Sequence, residues 1–245
     1  MRPHTIYTAI PHLFPSRFQP NLLCSFFPCS LENSMLTIWG RKTSSNVQAL
    51  MWCVGELGLD YLPFDVGHRY GGTDSEAFYQ LNPNRTVPVL QDDENPPLWE
   101  TGAILRYLAS RYADDAFWPG ELLARTEVDR WAEWSKQNIA LGFTTPVFWR
   151  VVRTPAAERD PQAIAAAVTA LEQSWRLPRH VSPGVAIWWA IRSPLPISSL
   201  VMCCTATLQS ISPSSPPHLA AYYARLTSRP AFRQHVMVSY DELKV

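Results

Sequence analysis

The chain has 245 residues, enough for one large domain or two modest ones, and its 21 Lys+Arg balance 21 Asp+Glu to a net charge of zero. That balance argues against a nucleic-acid or anionic-membrane partner, and no apolar run reaches the roughly 20 residues that span a bilayer. The five cysteines form no Cys-x-x-Cys pair, so neither a zinc site nor a dithiol centre is signalled. A cytoplasmic protein without a metal is the expectation.

Residues 1–34 carry five prolines and one acid, Glu32, with neither helical nor strand periodicity. They read as a disordered extension; the run Leu22–Phe27 is too short for a secretory signal and is flanked by Pro20 and Pro28. From Met35 the pattern becomes regular. Leu36–Trp39 is a strand, and Ser44-Ser45-Asn46 supplies N-cap chemistry for a helix with Val47, Leu50, Met51, Val54 and Leu57 on one face. Gly58 closes that helix, and Tyr61–Val66 is a second strand, at an edge because Pro63 interrupts it. Gly71-Gly72 is a loop, and a short helix starts at Thr73–Glu76 and ends at Leu81.

Asn82-Pro83 stops that helix, since a residue before proline is driven out of the α region. Asn84-Arg85 is turn material, and Val87-Pro88-Val89-Leu90 is a short strand with a proline inside it. A cis Val87–Pro88 bond reconciles strand and proline, with the Val87 backbone turned outward. After the Asp92–Pro96 turn, a two-residue strand runs into a helix beginning at Glu100-Thr101 and reaching about Tyr112. A carboxylate, a hydroxyl and free backbone N–H groups thereby meet at a helix N-terminus, where a ligand's carboxylate is favoured.

Asp114-Asp115 and Pro119-Gly120 mark a linker, and the chain beyond it is helical. One helix runs from Leu122 to about Leu141 and carries Val128, Trp131 and Trp134; another opens at Asp160-Pro161 and runs to about Trp175. His218–Leu226 is a third, followed by Arg229-Pro230-Ala231-Phe232. No side chain from Gln173 to Tyr240 is acidic.

The two central stretches, Asn82-Pro83-Asn84-Arg85-Thr86-Val87-Pro88-Val89-Leu90 and Glu100-Thr101-Gly102-Ala103-Ile104-Leu105-Arg106-Tyr107-Leu108, together resemble the glutathione-binding half of the cytosolic glutathione transferases, of the bacterial serine type near the theta and zeta classes. Thr101 replaces the usual Ser and keeps its hydroxyl; Arg85 replaces the usual Gly. The resemblance begins at Met35, which implies that residues 1–34 precede the natural start. It implies an α/β thioredoxin-like domain over 35–113 and an all-α helical domain over 120–245, including its Pro-x-Leu-x-x-Tyr-x-x-Arg and Arg-Pro-x-Phe ending.

Between Pro178 and Pro217 the helical domain departs from that pattern: prolines and serines stand where the family has a buried helix entered through the capping box Gly-Asp-x-x-Thr-x-Ala-Asp. With permitted codons, reading Trp188–Pro216 one base earlier restores that box and rejoins Pro217-His218-Leu219. A compensated pair of frameshifts over about 178–216 is the expectation. It implies a damaged second domain, since each interior proline costs a helix about 3 kcal/mol.

The resemblance also implies chemistry. Glutathione must react as its thiolate, and the protein has to lower the thiol's pKa beside a small electrophilic substrate. Ser44 takes the sulfur-facing position, with Ser45 and Asn46 as alternatives, and a plain N-cap role remains open for the serines. Val87, held by Pro88, pairs with the peptide backbone of glutathione, and Glu100 and Thr101 take its γ-glutamyl end. Arg41, Gln48 and Arg69 are candidates for the glycine carboxylate. Trp131, Trp134, Phe143 and Trp149 are candidates for a second-substrate pocket, and Cys53 is expected to be a buried thiol. A homodimer follows from the resemblance. The competing readings are a non-catalytic transferase-like interaction module, the inactive product of a frameshifted gene, and a thioredoxin or glutaredoxin, which lacks its cysteine at 44–46.

Overall fold

The computed structural model describes residues 35–174 and 223–244. The extension over 1–34 and the irregular 178–216 stretch lie outside the described residues. Strand β1 (Leu36–Trp39) is followed by helix α1 (Ser45–Leu57) and β2 (Tyr61–Phe64). Helix α2 (Glu76–Leu81), β3 (Val89–Asp92), β4 (Leu98–Trp99) and α3 (Thr101–Tyr112) complete a thioredoxin-like unit. The sheet order is β2-β1-β3-β4. β1 pairs parallel with β2 and antiparallel with β3, with Ile38 opposite both Pro63 and Leu90. Pro63 therefore does sit on an edge strand, where a missing N–H costs no ladder bond.

The local signals act where the sequence places them. Gly58 caps α1 in the left-handed region at φ 65°, its N–H bonded to the Val54 carbonyl. Ser75 caps α2 by accepting from the Phe78 N–H at 3.2 Å. The Val87–Pro88 bond is cis, and β3 begins one residue after it, at Val89. Asn82 is buried and holds the intervening turn: its Nδ2 donates to the Thr86 carbonyl at 2.9 Å, and its Oδ1 accepts from the Asn84 N–H at 2.9 Å.

Arg85 adopts φ 54° in that turn, a conformation that glycine takes without steric cost. Its side chain compensates by donating to the carbonyls of Thr73 (3.2 Å) and Ser75 (3.1 Å) and by lying over the Tyr79 ring. Arg85→Ala loses those bonds and keeps the Cβ, whereas Arg85→Gly loses both. The glycine variant is expected to be the more stable of the two by about 1 kcal/mol. Urea midpoints compare them; an equal or reversed order would show that the backbone there is not strained.

Helix α4 (Leu122–Ser135) does not end near Leu141. Helical residues continue through a π segment at Lys136–Ala140, a turn at Leu141–Phe143, a second π segment at Thr144–Trp149 and a last turn at Arg150–Val152. Pro146 lies in the second π segment, where the wider winding accommodates a residue that has no N–H to give. A helix at Pro161–Ser174, helical residues 223–227 and a short helix at Pro230–His235 complete the described helical part. Asp160 caps the first of these, accepting from the N–H groups of Gln162 and Ala163 at 3.0 Å.

Two apolar clusters hold the fold. One joins β1 and β3 to α1 and α3 through Leu36, Ile38, Leu50, Leu90, Ile104 and Leu108. The other gathers the helical part around Trp52, Ile139, Leu171 and Phe232. Trp52 belongs to α1, so the first helix inserts an indole into the helical cluster, where it meets the Phe232 ring edge-on at 5.1 Å. Arg229 clamps the same junction with two hydrogen bonds to the Glu56 carboxylate, at 2.6 and 2.5 Å. Among the described residues no helix is long and apolar enough to cross a membrane.

Candidate functional site

The loop from β1 to α1 and the turn before β3 face one another because Gly40 lets them. A Cβ at Gly40 would lie 2.5 Å from Val47 Cγ2 and 3.5 Å from Val87 Cβ. Beyond this close approach opens a cavity of about 410 Å³, lined on one side by Ser44, Ser45, Asn46, Thr86 and Val87. Phe143, Phe148 and Trp149 supply its aromatic lining, and Arg41 and Arg153 also line it. A second cavity of about 230 Å³ contains Glu100 and Thr101 and shares Ser45, Asn46 and Thr144 with the first. The two therefore meet at the N-terminus of α1.

Ser44 is the N-cap residue of α1 by backbone conformation, yet its side chain makes no capping hydrogen bond. The first N–H groups of a helix lack intrahelical partners and carry the positive end of its dipole. Among the described residues Ser44 thus presents an uncommitted hydroxyl beside a locally positive helix end. The neighbouring hydroxyl is committed elsewhere: Thr43 is buried and donates to the Glu242 carboxylate. Ser45 is half-buried and Asn46 exposed, and both stand where the cavities join.

Glu100 precedes α3 with φ 68° and ψ 109°, an uncommon backbone for a residue with a Cβ. Such conformations persist where surrounding structure enforces them. Its carboxylate lies 3.4 Å from Lys136 Nζ, with both side chains about half exposed, a contact worth little in water. Thr101 opens α3. Pro88 is buried behind Val87, away from both cavities.

The three candidates for a terminal carboxylate are separated by their partners. Gln48 is buried, donating to the Lys42 carbonyl at 2.9 Å and accepting from the Tyr240 hydroxyl at 2.8 Å. Arg69 pairs with Glu242 at 2.8 Å. Arg41 lines the cavity with a buried Nε that has no hydrogen-bond partner among the described residues. Burial lowers its pKa, assisted by the charge of Arg153 and opposed by Glu242.

Of the aromatic candidates, Phe143 and Trp149 line the larger cavity. Trp131 and Trp134 do not. They stack edge-to-face on each other at 5.5 Å, Trp131 donates to Glu127 at 3.1 Å, and Trp134 packs on the helical cluster. Aromatic residues at helical spacing serve a core as readily as a pocket. Burial and the nearby Glu56 push the Cys53 thiol up to about 12, which keeps it protonated and unreactive at neutral pH. Among the described residues no group of three or more His, Cys, Asp or Glu side chains could hold a metal ion.

Sequence reasoning did not single out Phe148, Arg153, Tyr240 or Leu243, all of which line the larger cavity. Their approach to Ser44 depends on long-range packing that no local pattern reports. Glu242, which receives both Thr43 and Arg69, was equally silent.

Residues 34–110 match the family model for the glutathione S-transferase N-terminal domain. The chain is 31% identical over 209 residues to glutathione S-transferase GstB of Escherichia coli (strain K12), covering 83% of this chain and 99% of that protein. Among solved structures, the theta-class glutathione S-transferase of Xanthomonas axonopodis pv. citri with glutathione bound superposes with a TM-score of 0.69 at 39% identity, over 83% of this chain and 98% of that one. Glutathione transferase F7 of Populus trichocarpa shares the fold, with a TM-score of 0.67 at 21% identity over 82% of this chain and 98% of its own.

Proposed function

Because the chain belongs to the glutathione S-transferase family, we propose that it binds glutathione across the junction of the two cavities and transfers it to a small electrophile. The observation that carries this reading is the uncommitted Ser44 hydroxyl at the N-terminus of α1, on the rim that also holds Val87. A hydroxyl donating to sulfur favours the thiolate over the thiol, as does a helix N-terminus. The thiolate forms the new carbon–sulfur bond while the leaving group departs with its electron pair.

The rest of the tripeptide follows the line of residues. The γ-glutamyl ammonium meets the Glu100 carboxylate, displacing the weak contact with Lys136, and the γ-glutamyl carboxylate meets the Thr101 hydroxyl and the N–H groups opening α3. Val87 pairs its backbone with that of glutathione, and Arg41 takes the glycine carboxylate, since Gln48 and Arg69 are engaged elsewhere. The acceptor sits against Phe143, Phe148 and Trp149. In this reading the glutathione-binding unit spans 35–113 and the acceptor wall comes from the helical unit that starts at about 120. A cytoplasmic homodimer, as the family resemblance implies, completes the proposal.

Retention on glutathione resin with elution by free glutathione, followed by glutathione-dependent turnover of benzyl bromide, tests it. A folded sample that neither binds nor turns over would contradict the proposal and leave the non-catalytic module in its place.

A further inference from the structure

The larger cavity carries more positive charge than glutathione uses. Arg41, Arg85, Arg153 and His68 line it, and among the described residues no Asp or Glu does. Arg85 is spent on the carbonyls of Thr73 and Ser75. The other two arginines are not: the Nε atoms of both Arg41 and Arg153 are buried without a hydrogen-bond partner among the described residues. Neither guanidinium is in a salt bridge there; burial lowers the pKa of Arg41, the charge of Arg153 adds to that, and Glu242 opposes it. His68 is held below the usual imidazole value by partial desolvation and then by Arg153 and Arg41.

Residues 175–222 contain no Asp or Glu, and 1–34 contain only Glu32. Two buried guanidinium nitrogens without acceptors represent an unmet desolvation cost, which an anionic ligand relieves. Glutathione, bound as proposed above, brings one carboxylate to this end of the site, and Arg41 is placed to take it: its Nη1 lies 3.2 Å from where a Gly67 Cβ would stand, on the thioredoxin-like side. Arg153 lines the same cavity with its guanidinium over the Trp149 ring at 5.1 Å. Among the described residues it pairs with no carboxylate.

We propose that the acceptor substrate of this protein is an apolar electrophile bearing a carboxylate, with Arg153 binding that carboxylate and Trp149, Phe148 and Phe143 its carbon frame. The inference rests on the glutathione reading for the place of the acceptor. A substrate fitting both requirements is para-bromomethylbenzoate. The glutathione thiolate forms a bond to its benzylic carbon, the carbon–bromine bond breaks, and bromide leaves with the bonding pair, the thiol proton having already passed to solvent. Arg153 takes no part in those bond changes; it sets which acceptor is held in line.

The test separates binding from turnover. The full-length protein, saturated with S-methylglutathione so that Arg41 is occupied, is titrated with the unreactive acid para-toluate and with its neutral counterpart para-toluamide. The acid is expected to bind at least about tenfold more tightly than the amide, and Arg153→Gln to remove that preference while Arg153→Lys retains part of it. The ratio of kcat/KM for para-bromomethylbenzoate to that for its methyl ester should collapse in Arg153→Gln in the same way. Equal binding of acid and amide by the unmodified protein, which needs no variant to fold, would overturn the proposal, as would an acid preference that survives Arg153→Gln. Should toluate bind through Arg153 in a protein that shows no turnover, the transferase reading fails and the anion site stands.

Discussion

Replacing Ser44 by alanine is expected to lower kcat at neutral pH by roughly 10- to 100-fold while glutathione affinity changes little, the range set by losing a hydrogen bond to a charged group. Ser44 contributes a hydroxyl that makes no capping bond at the α1 N-terminus, so its removal leaves the proposed peptide contacts at Val87, Glu100 and Thr101 in place. The sign of the pH effect follows. A donor to sulfur stabilises the thiolate and depresses the bound thiol's pKa; without it that pKa rises toward the free-thiol value of about 8.5. The alanine variant should therefore recover rate as pH increases, with its rate–pH midpoint displaced upward from that of the unmodified protein. Steady-state rates between neutral and alkaline pH check this. An unchanged profile would remove Ser44 from the mechanism and transfer the role to Asn46 or Ser45, which line the same junction.

Asp92→Ala should produce a large loss of stability at a position away from the site. The Asp92 carboxylate is 1% exposed at the end of β3 and accepts from the hydroxyls of Tyr107 (2.6 Å) and Tyr112 (2.7 Å), with Arg111 Nε at 3.1 Å. Burial, with the bond to Asp92 next, pushes the Tyr107 phenol up to about 12. The alanine variant leaves the two phenols without their shared acceptor, while the half-exposed Arg111 keeps its bond to the Tyr112 hydroxyl, at a cost of about 3 kcal/mol. For a chain of this size that corresponds to a fall in melting temperature of about 6 to 12 °C. Asp92→Asn, which keeps the shape and one acceptor oxygen, should lose less. A melting temperature within a degree or two of the unmodified protein's would show that the clamp between sheet and α3 carries little of the stability.

The thioredoxin-like unit was legible because each of its signals acts over a few residues. Ser44 and Gly58 bound α1, Asn82 with Pro83 ends α2, and the Asp92–Pro96 turn forces the return into β4. A proline inside a short strand made a cis bond before Pro88 one way to reconcile the two, and the bond is cis. The helical part was less legible. Its long helix runs past Leu141 because π segments absorb Pro146, and a pattern read at 3.6 residues per turn has no term for that change of winding. Trp131 and Trp134 were indistinguishable by spacing from pocket aromatics, and their mutual contact became visible only in three dimensions. Arg153 and Tyr240 were invisible for a different reason: they reach the α1 N-terminus from more than a hundred residues away, and nothing beside them in sequence marks that approach.

The measurement that bears most directly on the whole account is a crystal structure of the protein soaked or grown with glutathione. The account predicts the sulfur within hydrogen-bonding distance of Ser44 Oγ, the peptide running antiparallel to Val87, and the γ-glutamyl group against Glu100 and Thr101. Glutathione lying elsewhere, or its sulfur turned away from the start of α1 with Ser44 facing only solvent, would contradict it.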